Sequence, residues 1–348
     1  MTDGARPLAE DAARPGARRI AVIIPCYRVR DRILGVIGAI GGECSAIYVV
    51  DDGCPEGSGR LVREQCRDPR VRVIVHDANR GVGAAVITGY RAALDDGADV
   101  LVKIDGDGQM DPADLPKIAA PIIEGDADYT KGNRFYDLTH IRRMPAVRIL
   151  GNAALSFMTK FSSGYWDIFD PTNGYTAIHA AVARQLPLAR VSPRYFFESD
   201  MLHHLGLAGA VVRDVPLDAR YGDEPSSVRP FRSILRFSAK HAANTARRLF
   251  YKYFLRDFSA ASVELALGLL LLTFGLVFGA TQWVEWSARG VGAYAGTVML
   301  AALPVILGMQ LLLAFIGFDV ARVPRDPIHP QLLRRRGTER ALAPARGR

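Results

Sequence analysis

Cysteine is sparse in this 348-residue chain: Cys26, Cys44, Cys54 and Cys66 are the whole complement, and no two form a C-x-x-C pair. That excludes a disulfide-stapled scaffold and gives no sign of a cysteine metal site, so four reduced thiols are expected. Aromatic residues make up only 9%, and 33 Gly and 20 Pro are ordinary numbers, which excludes collagen-like and low-complexity chains. Residues 1–17 lack the apolar core of a signal peptide and read as a disordered leader. Acidic residues are missing altogether from 229–256, which holds eight cations, and are few in 319–348, where eight Arg face three acids. Of the formal charge of +8, these stretches carry +13, leaving −5 for the rest. At 49% hydrophobic and 23% charged, the chain has length for two or three cores.

Two long apolar runs lie between the basic stretches. Residues 263–284 carry one charge, Glu264; as a helix the run would be roughly 33 Å long, enough for a bilayer core. Residues 293–318 are similar, broken only by Pro304 and Gln310, and Trp283, Trp286 and Tyr294 lie where an interfacial aromatic belt would sit. The basic flanks predict a membrane hairpin over 259–318 with the body of the chain and both termini in the cytoplasm, at an inner or plasma membrane. Residues 229–258 are expected to form interfacial amphipathic helices on anionic lipid, and 319–348 a basic tail. Gly268, Gly275 and Gly279 permit helix association and hence a homo-oligomer. The Arg334-Arg335-Arg336 run comes with no nucleic-acid-binding module, so no nucleic-acid partner is expected.

From residue 18 onward, apolar runs at 19–25, 46–51, 71–76 and 100–104 alternate with helix-length segments at 30–41, 57–66, 80–95 and 112–124. Nearly continuous apolar runs suit strands covered on both faces. This order predicts an α/β fold, an open, Rossmann-like, mostly parallel sheet with its ligand site at the strands' carboxyl ends. There stand Pro25-Cys26-Tyr27, Asp51-Asp52-Gly53, His76-Asp77-Ala78-Asn79 and Asp105-Gly106-Asp107-Gly108-Gln109. So many acids at one rim repel one another unless a cation neutralises them. Asp105 and Asp107 can turn toward one ion with Gln109 adding a neutral oxygen, an all-oxygen set that suits Mg²⁺ or Mn²⁺ shared with phosphates. A dinucleotide fingerprint is excluded, because Gly81-Val82-Gly83 follows the third strand and lacks its third glycine.

With Lys131-Gly132-Asn133-Arg134-Phe135, these ordered motifs resemble the family-2 glycosyltransferases of GT-A fold, and most of all the polyprenyl- or dolichyl-phosphate mannose and glucose synthases. The resemblance covers residues 18–228, and bacterial members share the two-helix tail. It implies that Pro25, Tyr27, Asp51 and Asp52 line the nucleotide pocket and that Asp77 with Asn79–Gly81 closes it. It also implies Asp105, Asp107 and Gln109 on the metal, Arg134 on the acceptor phosphate and Arg220 near the donor diphosphate. Pro-Cys-Tyr-Arg and Ser226-Ser227-Val228 depart from the family's pattern.

Sugar transfer from GDP- or UDP-hexose requires a neutralised leaving diphosphate, an acceptor held in line and a dry site. A phosphate-monoester acceptor is already anionic, so cations must position it: Arg134, helped by Lys131, Arg142, Arg143 or Arg148. Asn173 and Asp200 are candidate partners for sugar hydroxyls, and Asp170 or Asp200 a base should the acceptor be an alcohol. An Asx turn at Asp170 and a helix cap at Asp200 are equally compatible. His203-His204 diverge on a helix and suit packing better than metal binding. The function expected is inverting, metal-dependent hexosyl transfer to a polyprenyl phosphate; transfer to a glycolipid or polysaccharide hydroxyl and a non-catalytic nucleotide-binding scaffold are the alternatives.

Overall fold

The structure is a computed structural model that describes residues 18–136, 146–171, 173–217 and 230–342. It divides into two compact units, Met1–Asn244 with Pro324–Arg348, and Thr245–Val323.

The first unit is built on a seven-stranded sheet of order β3-β2-β1-β4-β6-β5-β7. The strands are β1 (Ile20–Cys26), β2 (Cys44–Asp51), β3 (Val71–Val75), β4 (Val100–Lys103), β5 (Tyr129–Asn133), β6 (Thr176–His179) and β7 (Val212–Pro216). All neighbours are parallel except β6, which runs antiparallel to both β4 and β5. Helices α1 (Ile33–Gly38), α2 (Ser58–Gln65), α3 (Val82–Asp95) and α4 (Leu115–Ile123) connect the first strands. Val22, Ile24, Val49 and Val102 pack into one core layer, while Ile23 and Val50 meet α3 on the other face, with Gly89 so near that a Cβ there would lie 2.5 Å from Ile23. Burial of both faces is why these strands read as uninterrupted apolar runs.

The strand order reverses between β1 and β4, which opens a crevice at their carboxyl ends, where Tyr27 and Asp105 emerge. The second half of the sheet escapes the apolar-run criterion. Thr130, Lys131 and Asn133 of β5 are buried although polar, because β6 and β7 flank them and each side-chain donor has a partner: Thr130 the Ile118 carbonyl of α4, Lys131 the carbonyls of Asp170 and Asn173, and Asn133 the Asp214 carboxylate. The unit is completed by α5 (Ala146–Ser163), α6 (Ala180–Ala183), α7 (Phe197–Ala208), the part of α8 (Pro230–Leu249) up to Asn244, and α11 (His329–Leu342).

That last helix lies within the 319–348 segment, expected from sequence to be a basic tail. The chain returns to the first unit at Pro324, and buried Asp128 fastens it. Its carboxylate accepts from the N–H groups of Ile328 (2.8 Å) and His329 (2.9 Å), from His329 Nδ1 (2.8 Å) and from Val211 N–H (2.8 Å). The His329 ring stacks on His179 at 4.3 Å. Burial would raise the Asp128 carboxyl, but these donors outweigh it and hold it below the ordinary range.

The second unit holds the apolar hairpin, α9 (Ala260–Ala288) and α10 (Ala295–Ala321), two helices long and apolar enough to cross a membrane. A Cβ on Gly275 would lie 2.7 Å from Val305, and one on Gly308 2.6 Å from the Leu272 nitrogen. Gly268 and Gly275 therefore serve close packing inside the hairpin. Before the hairpin, Phe250–Arg256 forms a π-helical turn, the rare wide helix that seldom exceeds one turn. Its Tyr253 hydroxyl donates to Asp319 (2.5 Å), whose two oxygens also accept a fork from buried Arg248 (2.8 and 2.9 Å).

Candidate active site

The acids at the rim do not act as one cluster. Asp51 is buried, and its carboxylate accepts from the N–H groups of Cys54 and Gly59, both at 2.7 Å, holding the turn into α2. Asp52 is buried as well and accepts from Arg80 N–H (2.9 Å), Gly81 N–H (2.7 Å) and His76 Nδ1 (2.8 Å). Both carboxylates are tied to the loops that frame the pocket. Gly81, at φ +103°, has Pro193 O 2.5 Å from where a Cβ would sit, so only glycine fits. Pro25 is buried in β1, whereas Tyr27, Asp77 and Asn79 stand exposed around the opening. Asn79 accepts a 3.4 Å contact from Arg194, which ties it to the loop before α7.

At the end of β4 the chain turns outward through Asp105, Gly106 and Asp107. Asp107 accepts from Gln109 N–H (3.0 Å), a tight turn with Gly108 at φ +75°, and Gln109 is exposed. Under Asp105 lies a residue the sequence reading passed over. Lys103 is 1% exposed, and its Nζ sits 2.8 Å from Asp105 Oδ1 and 3.2 Å from Glu198 Oε1 while donating to Gly174 O. Burial alone would lower this amine; Asp105 and Glu198 outweigh it and keep it charged. A Cβ on Gly174 would fall 2.6 Å from Asp105 Oδ2, so that glycine lets the loop close over the pair. A charged residue inside an apolar strand is costly unless paired, and that oddity was the available signal. Among the described residues no three His, Cys, Asp or Glu side chains converge. A divalent ion would draw two carboxylates and an amide from this turn and the rest of its oxygens from phosphates, a donor set that fits Mg²⁺ or Mn²⁺.

A second centre forms where β5 ends. Arg134 Nε and Nη2 reach the two oxygens of Asp170 at 2.9 and 3.2 Å. Asp170 is 1% exposed while the Arg134 side chain is 35% exposed, so a buried carboxylate holds one edge of a partly exposed arginine. Burial would raise Asp170, yet the charges of Lys131 and Arg134 dominate and leave it below the usual range. Lys131 is fully buried, its Nζ donating to the carbonyls of Asp170 and Asn173 (3.1 Å). Burial pulls it down to about 8. It links the Asp170 and Asn173 carbonyls. Asn173 is buried, its Oδ1 accepting from Tyr175 N–H (2.9 Å). Asp200 is likewise enclosed, accepting from Ser192 N–H (2.7 Å) and Asn244 Nδ2 (2.8 Å). Asp214 of β7, missed from sequence, accepts from Asn133 Nδ2 and Phe169 N–H, both at 3.0 Å, and burial raises it. Buried His203 donates to Ser162 O at 2.9 Å, a packing role. Arg142, Arg143 and Arg220 lie outside the described residues.

Residues 21–186 match the model of "Glycosyl transferase family 2". Polyprenol monophosphomannose synthase of Mycolicibacterium smegmatis is 33% identical over 215 residues, 60% of this chain and 80% of that protein. The chain belongs to glycosyl transferase family 2. The UDP-N-acetylglucosamine–dolichyl-phosphate N-acetylglucosaminyltransferase of Methanococcus voltae is 30% identical over 51% of this chain and 75% of its own length. The undecaprenyl-phosphate mannosyltransferase of Micrococcus luteus is 30% identical over 57% and 82%. Among solved structures, glucosyl-3-phosphoglycerate synthase of Mycobacterium tuberculosis with uridine diphosphate superposes at a TM-score of 0.50 with 20% identity, covering 71% of this chain and 86% of that one. This likeness shows the GT-A fold, and the family makes the protein a glycosyltransferase.

Proposed function

We propose that this transferase moves a hexose from a nucleotide diphosphate sugar to a polyprenyl phosphate at a membrane. The carrying observation is Arg134, a partly exposed side chain whose guanidinium is braced by buried Asp170 and has the fork geometry that suits a phosphate. The names of the relatives support this acceptor, and two of the three are mannosyl transferases or synthases. A phosphate acceptor needs no strong base, in keeping with what surrounds the site. Asp170 is held below the carboxylate range by its partners, and Asp200 is buried with both oxygens engaged. A general base works best with a pKa near the working pH, so the geometry favours phosphate over a glycan hydroxyl.

Asp105, Asp107 and Gln109 would hold Mg²⁺ or Mn²⁺, which supplies charge neutralisation for the departing diphosphate. Solved relatives in fold were crystallised with Mn²⁺ and uridine-diphosphate-glucose. Lys103 fixes the direction of Asp105 from beneath, Tyr27, Asp77 and Asn79 frame the nucleotide opening, and Arg134 orients the acceptor phosphate toward the anomeric carbon. The domain plan we propose is a catalytic body over 18–228, juxtamembrane helices over 229–258, the hairpin over 259–318 and a C-terminal segment that packs back. The chain leaves the first unit at Asn244 and rejoins it at Pro324. Two spans return the chain to the side it left, and the basic flanks support the cytoplasm as that side.

Purified full-length protein with Mn²⁺, labelled GDP- or UDP-hexoses and undecaprenyl phosphate should yield a labelled, acid-labile lipid. No product from any donor with the phosphate, together with product from an alcohol acceptor, would overturn the reading.

A further inference from the structure

Cys54 stands in the loop between β2 and α2, half-buried, with its sulfur among donors. Sγ accepts from Arg28 N–H at 3.1 Å and pairs with the Ser58 hydroxyl at 3.1 Å. Burial would raise this thiol, but the Ser58 hydroxyl and backbone hydrogen bonds from Ser58, Arg28 and Glu56 outweigh it and hold it below its ordinary range. Ser58 is also the first residue of α2. Donors and a helix N-terminus both favour the thiolate, the form of cysteine that reacts.

A second thiol lies beside it. β1 and β2 are neighbours in the sheet, with Cys26 opposite Asp51, and Asp52 N–H donates to the Cys26 carbonyl at 3.0 Å. Cys54 is tied back to the same place, its N–H donating to the Asp51 carboxylate at 2.7 Å. Cys26 is 1% exposed. Burial above all, then Asp51, pushes its thiol up to about 12, against the pull of the Ser58 hydroxyl and with a further push from Cys54. Ser58 therefore acts on both sulfurs, and both thiols are free. A reachable, acidified thiol next to a second, protonated one is the arrangement of a redox-responsive cysteine.

We infer that Cys54 is a site of reversible oxidation by peroxide and that Cys26 resolves it into a disulfide. The Cys54 thiolate attacks a peroxide oxygen; an S–O bond forms as the O–O bond breaks, leaving a sulfenic acid and hydroxide. The Cys26 sulfur then displaces that oxygen. The S–S bond forms, the S–O bond breaks, and the departing hydroxide carries off the Cys26 proton as water. The two thiols lose a pair of electrons, the peroxide gains it, and a thiol reductant reverses the change.

The bridge draws Sγ away from Arg28 N–H. Arg28 is at φ +57°, and among the described residues no other non-glycine has a positive φ, so this contact steadies a costly turn. Tyr27, at the nucleotide opening, directly precedes it. On the other side of Cys54, Gly53 packs so closely that a Cβ there would lie 2.7 Å from the Ala78 carbonyl carbon, next to Asn79. Oxidation thus disturbs two walls of the opening. That consequence rests on the proposed nucleotide pocket, but the bridge does not.

The test treats full-length protein in detergent with hydrogen peroxide, with and without later dithiothreitol. Digestion with trypsin and Asp-N separates Cys44 from Cys54, because Asp51 and Asp52 lie between them. Mass spectrometry should find a peptide linking Cys26 to Cys54 that reduction abolishes. Cys26→Ala should stop at the sulfenic acid, captured on Cys54 by dimedone, and Cys54→Ser should give no linked peptide. Affinity for Mn²⁺ with UDP or GDP, whichever the reduced protein binds, should fall at least about tenfold on oxidation and return with dithiothreitol. Cys54→Ser should bind equally before and after peroxide. Cys54 left unmodified in the folded protein, a dimedone adduct on it in the parent without the linked peptide, or bridges only between chains would each overturn the inference. A Cys26–Cys54 bridge with unchanged affinity would overturn its effect on the opening. If the reduced protein binds neither nucleotide, the pocket reading fails, while the mass spectra still decide the bridge.

Discussion

At the scale of single residues, Lys103 makes the sharpest prediction. It neutralises Asp105 from beneath and is shared with Glu198. Lys103→Met strands two carboxylates, and losing one member of a buried pair costs on the order of 3–5 kcal/mol. Stability alone would not show positioning. The double variant Lys103→Met/Glu198→Gln should regain most of the lost melting temperature, yet keep kcat at least about tenfold down and show a raised Mn²⁺ requirement. Recovery of kcat along with stability would reduce Lys103 to a structural role. Asp107→Asn should lower turnover by about a hundredfold or more with an unchanged melting temperature, measured on labelled lipid product. A third prediction concerns pH. His179 is pulled down to about 4 by burial and the neighbouring His329, and His241 to about 4 by burial. Between about pH 4 and 6.5 the unfolded chain binds protons that these folded rings refuse, so stability falls as pH drops through that window. His179→Asn keeps an acceptor for the Ala181 N–H that the ring now caps. Melts at pH 7 and pH 5 should show a smaller loss in that variant, by on the order of 1–2 kcal/mol.

At the scale of elements, the C-terminal return and the hairpin are separate supports. Asp128→Ala removes the acceptor of four donors, two of them from the returning segment by backbone N–H alone. Trypsin should then cut near Arg325 in the folded variant and not in the parent, followed by mass spectrometry of the fragments. Within the hairpin, Gly275→Leu has no space against Val305 and the Ala301 carbonyl; helix separation should appear as lost detergent stability with no change in nucleotide affinity. The elements also show where sequence reading reaches. β1 to β4 are visible as apolar runs because both faces of the parallel half are covered. β5 and β6 are not, since Lys131 and Asn133 are buried by partners more than 35 residues away that no local pattern signals.

At the scale of the whole molecule, the net positive charge lies on the flanks of an apolar hairpin and the rim of the sheet is acidic. Fixation in the membrane is thus expected to be apolar: 1 M salt and alkaline carbonate should leave the protein in the membrane pellet, and only detergent should release it. The amino-acid order determined the parallel half of the sheet, the two apolar helices and the acids at the ends of β2, β3 and β4, because periodicity and composition are local properties. Tertiary structure alone decided what each charge does. Asp51 and Asp52 hold loops, Lys131 holds a turn and Asp170 braces an arginine, because burial and distant donors assign a carboxylate or an amine its partner.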